Sequence, residues 1–105
     1  MITIIQGESF PIPVMLQKNG EPIGPDSVTD CLICVAEIHK KHSDGTLAWN
    51  EERQMWNFFP AQSETYSAEP GFYNMQIQIK HKDGTVQKVV GPYVNIQESP
   101  CKEKL

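Results

Sequence analysis

Residues 69–86 read EPGFYNMQIQIKHKDGTV, and this stretch decides the fold class. After Gly71, apolar side chains alternate with polar ones, a period of two that is typical of a β-strand with one buried face. Asp83-Gly84 ends the run, and such a dipeptide tolerates the positive φ angles of a tight hairpin turn. We therefore predict a β-hairpin, and the side chains expected in its core are those of Tyr73, Met75, Ile77 and Ile79.

Similar turn signals divide the rest of the chain into short apolar runs. Asn19-Gly20 and Asp44-Gly45 are two further candidates for tight turns. The predicted strands are 2–6, 10–17, 28–39, 46–49, 55–59, 72–82 and 85–97, with a bulge or a switch between sheets at Gly91-Pro92. Residues 61–68 predict one helical turn, capped by Ser63 and carrying Tyr66 inward. The pattern favours an all-β fold, an antiparallel immunoglobulin-like sandwich of about seven strands, with a small closed barrel as the rival.

Length and composition limit the function classes. A chain of 105 residues predicts one domain, which we place at residues 1–98, followed by a flexible tail at 99–105. The net charge of −4 disfavours a surface that follows nucleic-acid phosphates. No apolar run reaches the ~20 residues that cross a bilayer, and we expect neither a membrane partner nor a cleaved secretory signal. Three cysteines, an odd number, favour free thiols made in a reducing cytoplasm.

A zinc site is the sharpest chemical hypothesis that the residues raise. Cys31, Cys34, His39 and His42 form a C-x2-C-x4-H-x2-H pattern within twelve residues. The spacing is too short for the chain to fold back between the two pairs, as a zinc finger requires. In a strand, Cys31 and Cys34 also point to opposite faces. We therefore predict buried thiols, with no metal ligand and no cofactor.

Catalytic groups are not arranged together in the sequence. The three histidines lie at polar strand ends beside lysines, and the neighbouring carboxylates Glu51 and Glu52 lie in a predicted hairpin loop. Acyl transfer needs a nucleophile, a base and an orienting group in one place, and no pattern here predicts such a set. We expect the protein not to be an enzyme.

Aromatic residues near the middle hairpin are the remaining candidates. Alternation predicts that Trp56 and Phe58 are buried and that Trp49 is partly exposed. An exposed tryptophan can stack on a sugar or anchor a protein partner. The candidate interaction surface is therefore the hairpin residues Trp49, Glu51, Glu52 and Arg53.

Three segments resemble a known family. They are ITIIQGESFPIPVMLQKNGEPI at 2–23, WNFFPAQSETYSAEPGFYNMQIQIKHKDGTVQKVVG at 56–91 and VNIQES at 94–99. The chain is similar to small proteins of phages and prophages of Gram-positive bacteria, and to the N-terminal immunoglobulin-like domain of phage baseplate upper proteins. The resemblance implies a structural module of a tail, baseplate or capsid that docks onto other virion proteins. It supplies no catalytic residue.

The residues and the resemblance lead to two candidate functions from different classes. The first is a non-enzymatic phage module that binds virion proteins or a second copy of itself through sheet edges and loops. The alternative is a carbohydrate-binding or adhesion domain that uses aromatics near Trp49. For the first function, we expect synthesis in the bacterial cytoplasm, followed by incorporation into a virion.

Overall fold

The structure is a computed structural model that describes residues 1–101, 103 and 105. In this part of the chain, ten strands and one short helix form. The strands are β1 (Ile2–Ile5), β2 (Ile12–Val14), β3 (Gln17–Lys18), β4 (Glu21–Pro22), β5 (Val28–Val35), β6 (Ile38–Lys41), β7 (Ala48–Asn50), β8 (Met55–Phe58), β9 (Gly71–His81) and β10 (Val86–Gln97). The helix α1 is Gln62–Ser67.

The strands form two main sheets and one small hairpin. The five-stranded sheet has the order β1-β10-β9-β5-β6, the three-stranded sheet has the order β2-β8-β7, and β3 pairs only with β4. Every pair is antiparallel except β1 with β10, which run parallel from Ile2 opposite Val94 to Ile5 opposite Gln97. The mostly-β prediction is confirmed, while the purely antiparallel prediction is wrong for this pair.

The β9–β10 hairpin has the predicted alternation. Met75, Ile77 and Ile79 are buried, and Tyr73 on the same face is half-buried. At the turn, the Asp83 carboxylate accepts hydrogen bonds from the backbone N–H (2.9 Å) and hydroxyl (2.6 Å) of Thr85. These bonds close the tight turn that the Asp-Gly dipeptide predicts.

The predicted strand at 28–39 is in fact two strands. β5 ends at Val35, and Ala36-Glu37 turns the chain into β6. Ala36 has φ 52°, a left-handed conformation that alanine rarely adopts. Because neither glycine, proline nor asparagine marks this turn, sequence signals did not predict it. The turn places His39 directly opposite Cys34.

The single helical turn forms as predicted, but its N-terminal cap differs. Ala61 is the N-cap, and the Glu64 carboxylate accepts the Ala61 N–H at 2.7 Å. The same carboxylate oxygen pairs with the Lys40 ammonium at 2.7 Å. Ser63 is therefore not the cap, because it lies inside the helix and Glu64 does the capping from the third helical position.

The helix directs Thr65 into the core. Thr65 is fully buried, and its hydroxyl donates to the Glu8 carbonyl and accepts the Gly7 N–H, both at 2.9 Å. Tyr66, the residue predicted to point inward, is only half-buried, and its hydroxyl donates to the Glu103 carbonyl at 2.7 Å. The Thr65 hydroxyl therefore connects α1 to Gly7 and Glu8, the residues that follow β1.

One core lies between the two main sheets. The prediction that Trp56 and Phe58 are buried is confirmed, since both are fully inaccessible. The Trp56 indole N–H donates to the Ile23 carbonyl at 3.0 Å. The same ring lies edge-on to His42 (5.3 Å between ring centroids) and to Trp49 (5.0 Å). Trp56 on β8 thus contacts three other parts of the chain, at Ile23, His42 and Trp49.

Ser99, the first residue of the predicted tail, makes hydrogen bonds with other parts of the chain. Ser99 is buried, its N–H donates to the Gln6 side chain at 3.3 Å, and its hydroxyl donates to the Cys101 carbonyl at 2.7 Å. That residues 99–105 form a flexible tail stays a prediction, and its residues 102 and 104 lie outside the described residues. Among residues 1–101, 103 and 105, no helix is long and apolar enough to span a membrane.

Candidate functional site

The predicted site at the β7–β8 hairpin is a well-bonded loop. Trp49 is half-buried, as predicted, and its indole N–H donates to the Glu51 carboxylate at 2.7 Å. The ring also lies over Gly24, where an added methyl group would sit 2.8 Å from it. Only part of the Trp49 ring is therefore free to contact a ligand.

The charged residues of this loop remain in solvent. Glu51, Glu52 and Arg53 are exposed. The Arg53 backbone N–H donates to the Asn50 side chain at 3.1 Å, and the Gln54 amide donates to the Glu51 carbonyl at 2.6 Å. The hairpin brings the four predicted residues together, and their role in binding stays a prediction.

The four candidate zinc ligands are divided between environments. Cys31 is buried in the core, and Cys34 is half-buried on the opposite face, as predicted for strand residues an odd number apart. His39 is exposed beside Cys34, whereas the His42 ring lies against Trp56. In the described part of the chain, no group of three or more His, Cys, Asp or Glu residues could hold a metal ion.

The electrostatics of the cysteines agree with a structural role. Burial, and secondarily the nearby Asp30 carboxylate, raises the pKa of the Cys31 thiol to about 12. Burial also raises the pKa of Cys34. Both thiols are therefore protonated at neutral pH, which makes them poor nucleophiles.

A larger candidate surface lies on the five-stranded sheet. We call the side chains that point away from the core of this sheet the outer face. Strand register assigns its central members in opposed pairs: Asn95 opposite Phe72, Tyr93 opposite Asn74, Val90 opposite Gln76, Lys88 opposite Gln78 and Val86 opposite Lys80. From β5, Cys34, Leu32 and Asp30 lie beside Gln76, Gln78 and Lys80.

The outer face concentrates exposed apolar side chains. Phe72 is 69% exposed, Val90 71%, Tyr93 60% and Val86 59%. With Ile5, they account for five of the nine large apolar residues that are exposed within 1–101, 103 and 105. Clustered apolar exposure of this kind marks interaction sites, whereas single exposed apolar residues are ordinary.

Charged side chains are absent from the centre of the outer face and lie toward the end where β9 finishes. The side chains of Asn74 and Gln76 at the centre are neutral amides. At the end where β9 finishes lie Asp30, Lys41, Lys80 and Lys88, and we call this the basic end. The segments that flank the start of β9 carry Glu8, Glu69 and Glu98, which lie outside the paired strands of this face.

The basic end of the outer face contains a hollow. It has a volume of about 170 Å³ and is lined by Leu32, Gln78 and Val86 together with the charged residues Asp30, Lys41 and Lys80. Burial raises the pKa of Asp30 beside it, but hydrogen bonds from Ser43 and from the Cys31 N–H outweigh that effect and hold this pKa below its ordinary value. Asp30 is therefore ionised at neutral pH.

Within the described residues, part of one edge of the sheet has no partner strand. Residues 86–90 of β10 pair with β9 on one side, while β1 pairs only with residues 94–97 of β10. Lys88 lies exposed in the middle of this edge. A charged residue at such a position discourages another strand from adding to the sheet. Because Lys88 disfavours pairing at the edge, the outer face is the better candidate for the contact surface.

The predicted interaction surface at Trp49 does not include the outer face. The alternation of β9 predicted which of its side chains point away from the core, but not that Val86, Val90 and Tyr93 lie beside them. The reason is the bulge between Val90 and Tyr93, which confirms the predicted interruption at Gly91-Pro92. Before the bulge even-numbered residues of β10 point outward, and after it odd-numbered residues do. Shifting the alternation by one residue after the Gly-Pro pair would have revealed the surface.

Comparison of the chain with family models, with curated proteins and with solved structures finds no match.

Proposed function

We propose that the protein is a non-enzymatic structural module of a phage tail, baseplate or capsid, and that it docks onto other proteins through the outer face. The observation that carries this proposal is the exposure of Phe72, Tyr93 and Val90 around a centre without charge. Interface cores are enriched in aromatic residues and depleted of charged ones, and their rims are polar. The outer face has this composition, with charged residues at the end where β9 finishes.

We also propose that the fold is an immunoglobulin-like sandwich, and two observations support this. The strand order places β2, β8 and β7 in one sheet and β10, β9 and β5 in the other, which is similar to the B-E-D and G-F-C order of such sandwiches. The Tyr73 hydroxyl also donates to the Glu69 carbonyl at 2.7 Å, at the start of β9. A tyrosine bonded to the backbone just upstream is typical of the corner before the F strand.

The phage assignment rests on the sequence resemblance of residues 2–23, 56–91 and 94–99. In the structure, these segments hold β1, β2, β3, β4, most of β8, α1, β9 and most of β10. They therefore include both halves of the core and the strands that build the centre of the outer face. A module that presents one such face is suited to assembly by contact.

Binding to purified tail, baseplate and capsid proteins tests the proposal. Phe72→Ser removes an exposed aromatic from the outer face, and Phe59→Ser is a matched control because Phe59 is half-exposed outside that face. We expect Phe72→Ser to weaken binding by at least ~30-fold, the size of an interface hot spot of about 2 kcal/mol. Equal weakening by both variants would remove the outer face from the proposal. Absence of binding to every virion protein and to the chain itself would overturn it entirely.

The carbohydrate alternative has less structural support. A tryptophan that stacks on a sugar presents a free ring face, whereas Trp49 lies over Gly24 and edge-on to Trp56. Titration of tryptophan fluorescence with cell-wall glycans separates the two functions. A saturable shift that Trp49→Phe abolishes would favour the alternative.

A further inference from the structure

We propose that the partner of the outer face is an acidic protein surface, whose apolar patch covers Val90 and Tyr93 and whose carboxylates lie on the lysines of the basic end. The inference rests on the proposed function, because it gives the chemistry of the partner of the same surface. The competing occupant of a basic surface is an anionic polymer. The pattern of charged and apolar residues distinguishes the two.

The large sheet has a charge balance opposite to that of the chain. The whole chain has 13 acidic residues and 9 basic ones, and its net charge is −4. The five strands β1, β10, β9, β5 and β6 contain one carboxylate, Asp30, and four lysines. Lys40 points to the core side and pairs with a carboxylate of α1 at 2.7 Å, whereas Lys41, Lys80 and Lys88 point outward. Three outward lysines against one outward carboxylate make the face locally basic on an acidic chain.

The outward lysines form a triangle on the sheet. Lys88, Gln78, Leu32 and Lys41 lie side by side on four neighbouring strands, so the two lysines are about 14 Å apart at ordinary strand spacing. Lys80 follows Gln78 by two residues on β9 and is diagonal to Lys88, at about 7–8 Å. The hollow of about 170 Å³ lies within this triangle. Carboxylates of one partner surface can therefore contact several lysines at once.

Two of these lysines are available to an external carboxylate. Lys80 and Lys88 are exposed, and neither forms an ion pair in the part of the chain that the structure describes. Lys41 lies within electrostatic reach of Asp30 and Asp44, which partly neutralise it. Opposite charges across an interface speed encounter and fix the orientation of the partner. Lys80 and Lys88 are therefore the residues that select an acidic partner.

The surroundings of the lysines favour a protein over an anionic polymer. Asp30 lies beside Lys80, and two backbone N–H groups hold its carboxylate at 2.9 and 3.0 Å. This fixed negative charge repels a polymer with a phosphate at every repeat, whereas a protein surface can place a neutral group there. Val90 follows Lys88 by two residues, about 7 Å along β10, so apolar contact begins next to the cations. A phosphate backbone offers no apolar group to cover Val90.

Selection from a random peptide library, with the purified full chain as target, tests the inference. We expect the recovered peptides to combine apolar residues with several Asp or Glu residues. Lys80→Gln with Lys88→Gln should weaken their binding by about 10-fold at low salt. This difference from the wild type should vanish at about 1 M salt, where the screening length is about 3 Å. The matched control, Lys18→Gln with Arg53→Gln, removes two positive charges from exposed positions outside the outer face and should change binding by less than ~2-fold.

The test has clear contrary outcomes. Glutamine keeps a polar side chain at each site, and circular dichroism checks that both double variants are folded. Recovery of peptides without acidic residues would overturn the inference. Equal loss of binding in the two double variants would also overturn it, and so would failure to recover any peptide whose binding Tyr93→Ser weakens.

Two further outcomes separate this inference from its rival and from the proposed function. If inorganic polyphosphate binds more tightly than every recovered peptide and loses binding with Lys80→Gln and Lys88→Gln, the basic end takes an anionic polymer and the inference is overturned. If a virion protein loses binding with Phe72→Ser but not with the lysine variant, the proposed function stands and only the acidic partner is refuted.

Discussion

Replacing Trp56 with phenylalanine tests how the core is held across the two sheets. The change removes the indole N–H that donates to the Ile23 carbonyl at 3.0 Å, and losing such a bond costs about 1 kcal/mol. It also removes roughly 40 Å³ of a fully buried side chain, which at the usual cavity cost adds about 1 kcal/mol. The edge-on contacts with His42 and Trp49 weaken as well, by a further ~0.5–1.5 kcal/mol.

We therefore expect Trp56→Phe to lower the free energy of unfolding by about 2–4 kcal/mol. Urea denaturation followed by circular dichroism measures this loss. An unchanged m-value would show that the variant and the wild type expose the same surface area on unfolding. Trp49→Phe is the matched control. Its ring is half-buried and its N–H donates to an exposed carboxylate, so we expect a loss below about 1 kcal/mol.

Equal losses for the two tryptophan variants would refute this reasoning. That result would mean that the hairpin ring stabilises the fold as much as the ring in the core. A loss below about 0.5 kcal/mol for Trp56→Phe would also refute it, since cavity formation alone should exceed this value.

Three further predictions concern single groups. Tyr73→Phe should cost about 0.5–1.5 kcal/mol by removing the hydroxyl that bonds the backbone before β9, measured by urea denaturation. A thiol reagent at neutral pH should modify exposed Cys101 rapidly and Cys31 only at the rate of unfolding. The reason is that the Cys31 thiol is buried and has a pKa of about 12. Rapid modification of both thiols would contradict this prediction. Burial raises the pKa of Glu64, but the bonds from Lys40 and the Ala61 N–H outweigh it and hold this pKa below 4.5. The stability that these bonds supply is thus present above pH 4.5 and is lost as pH falls through the lower folded pKa, so the difference in unfolding free energy between wild type and Glu64→Gln should shrink on acidification.

The β9–β10 hairpin was predictable because local and tertiary preferences agree there. Met75, Ile77 and Ile79 alternate with polar residues, and Asp83-Gly84 supplies the turn. The burial of Trp56 and Phe58 followed from the same alternation. In these segments, side-chain period and turn chemistry are enough to specify the face that is buried.

Other features depend on contacts that a sequence pattern does not contain. The turn at Ala36 uses a left-handed alanine, which the pairing of β5 with β6 imposes on the chain. Glu64 rather than Ser63 caps α1, and Lys40 from a distant strand holds the same carboxylate. Parallel pairing of β1 with β10 likewise required knowledge of the tertiary arrangement.

The candidate site illustrates a different limit. The hairpin at Trp49 attracted attention because aromatic and charged residues are adjacent in the sequence there. The outer face is assembled from residues on separate strands, and the bulge after Val90 reverses the alternation of β10. A surface of this kind becomes visible only when the register between strands is known.

The parallel pairing of β1 with β10 has a consequence for how the chain folds during synthesis. Ile2 pairs with Val94, so β1 leaves the ribosome long before its partner strand β10. Contacts this distant in sequence close large loops, and they form after local hairpins such as β9–β10. Ile4, a core residue, stays without its partner strand until β10 has been made. A nascent or truncated chain that lacks β10 therefore exposes apolar surface, and chaperone binding or aggregation should be concentrated in this interval.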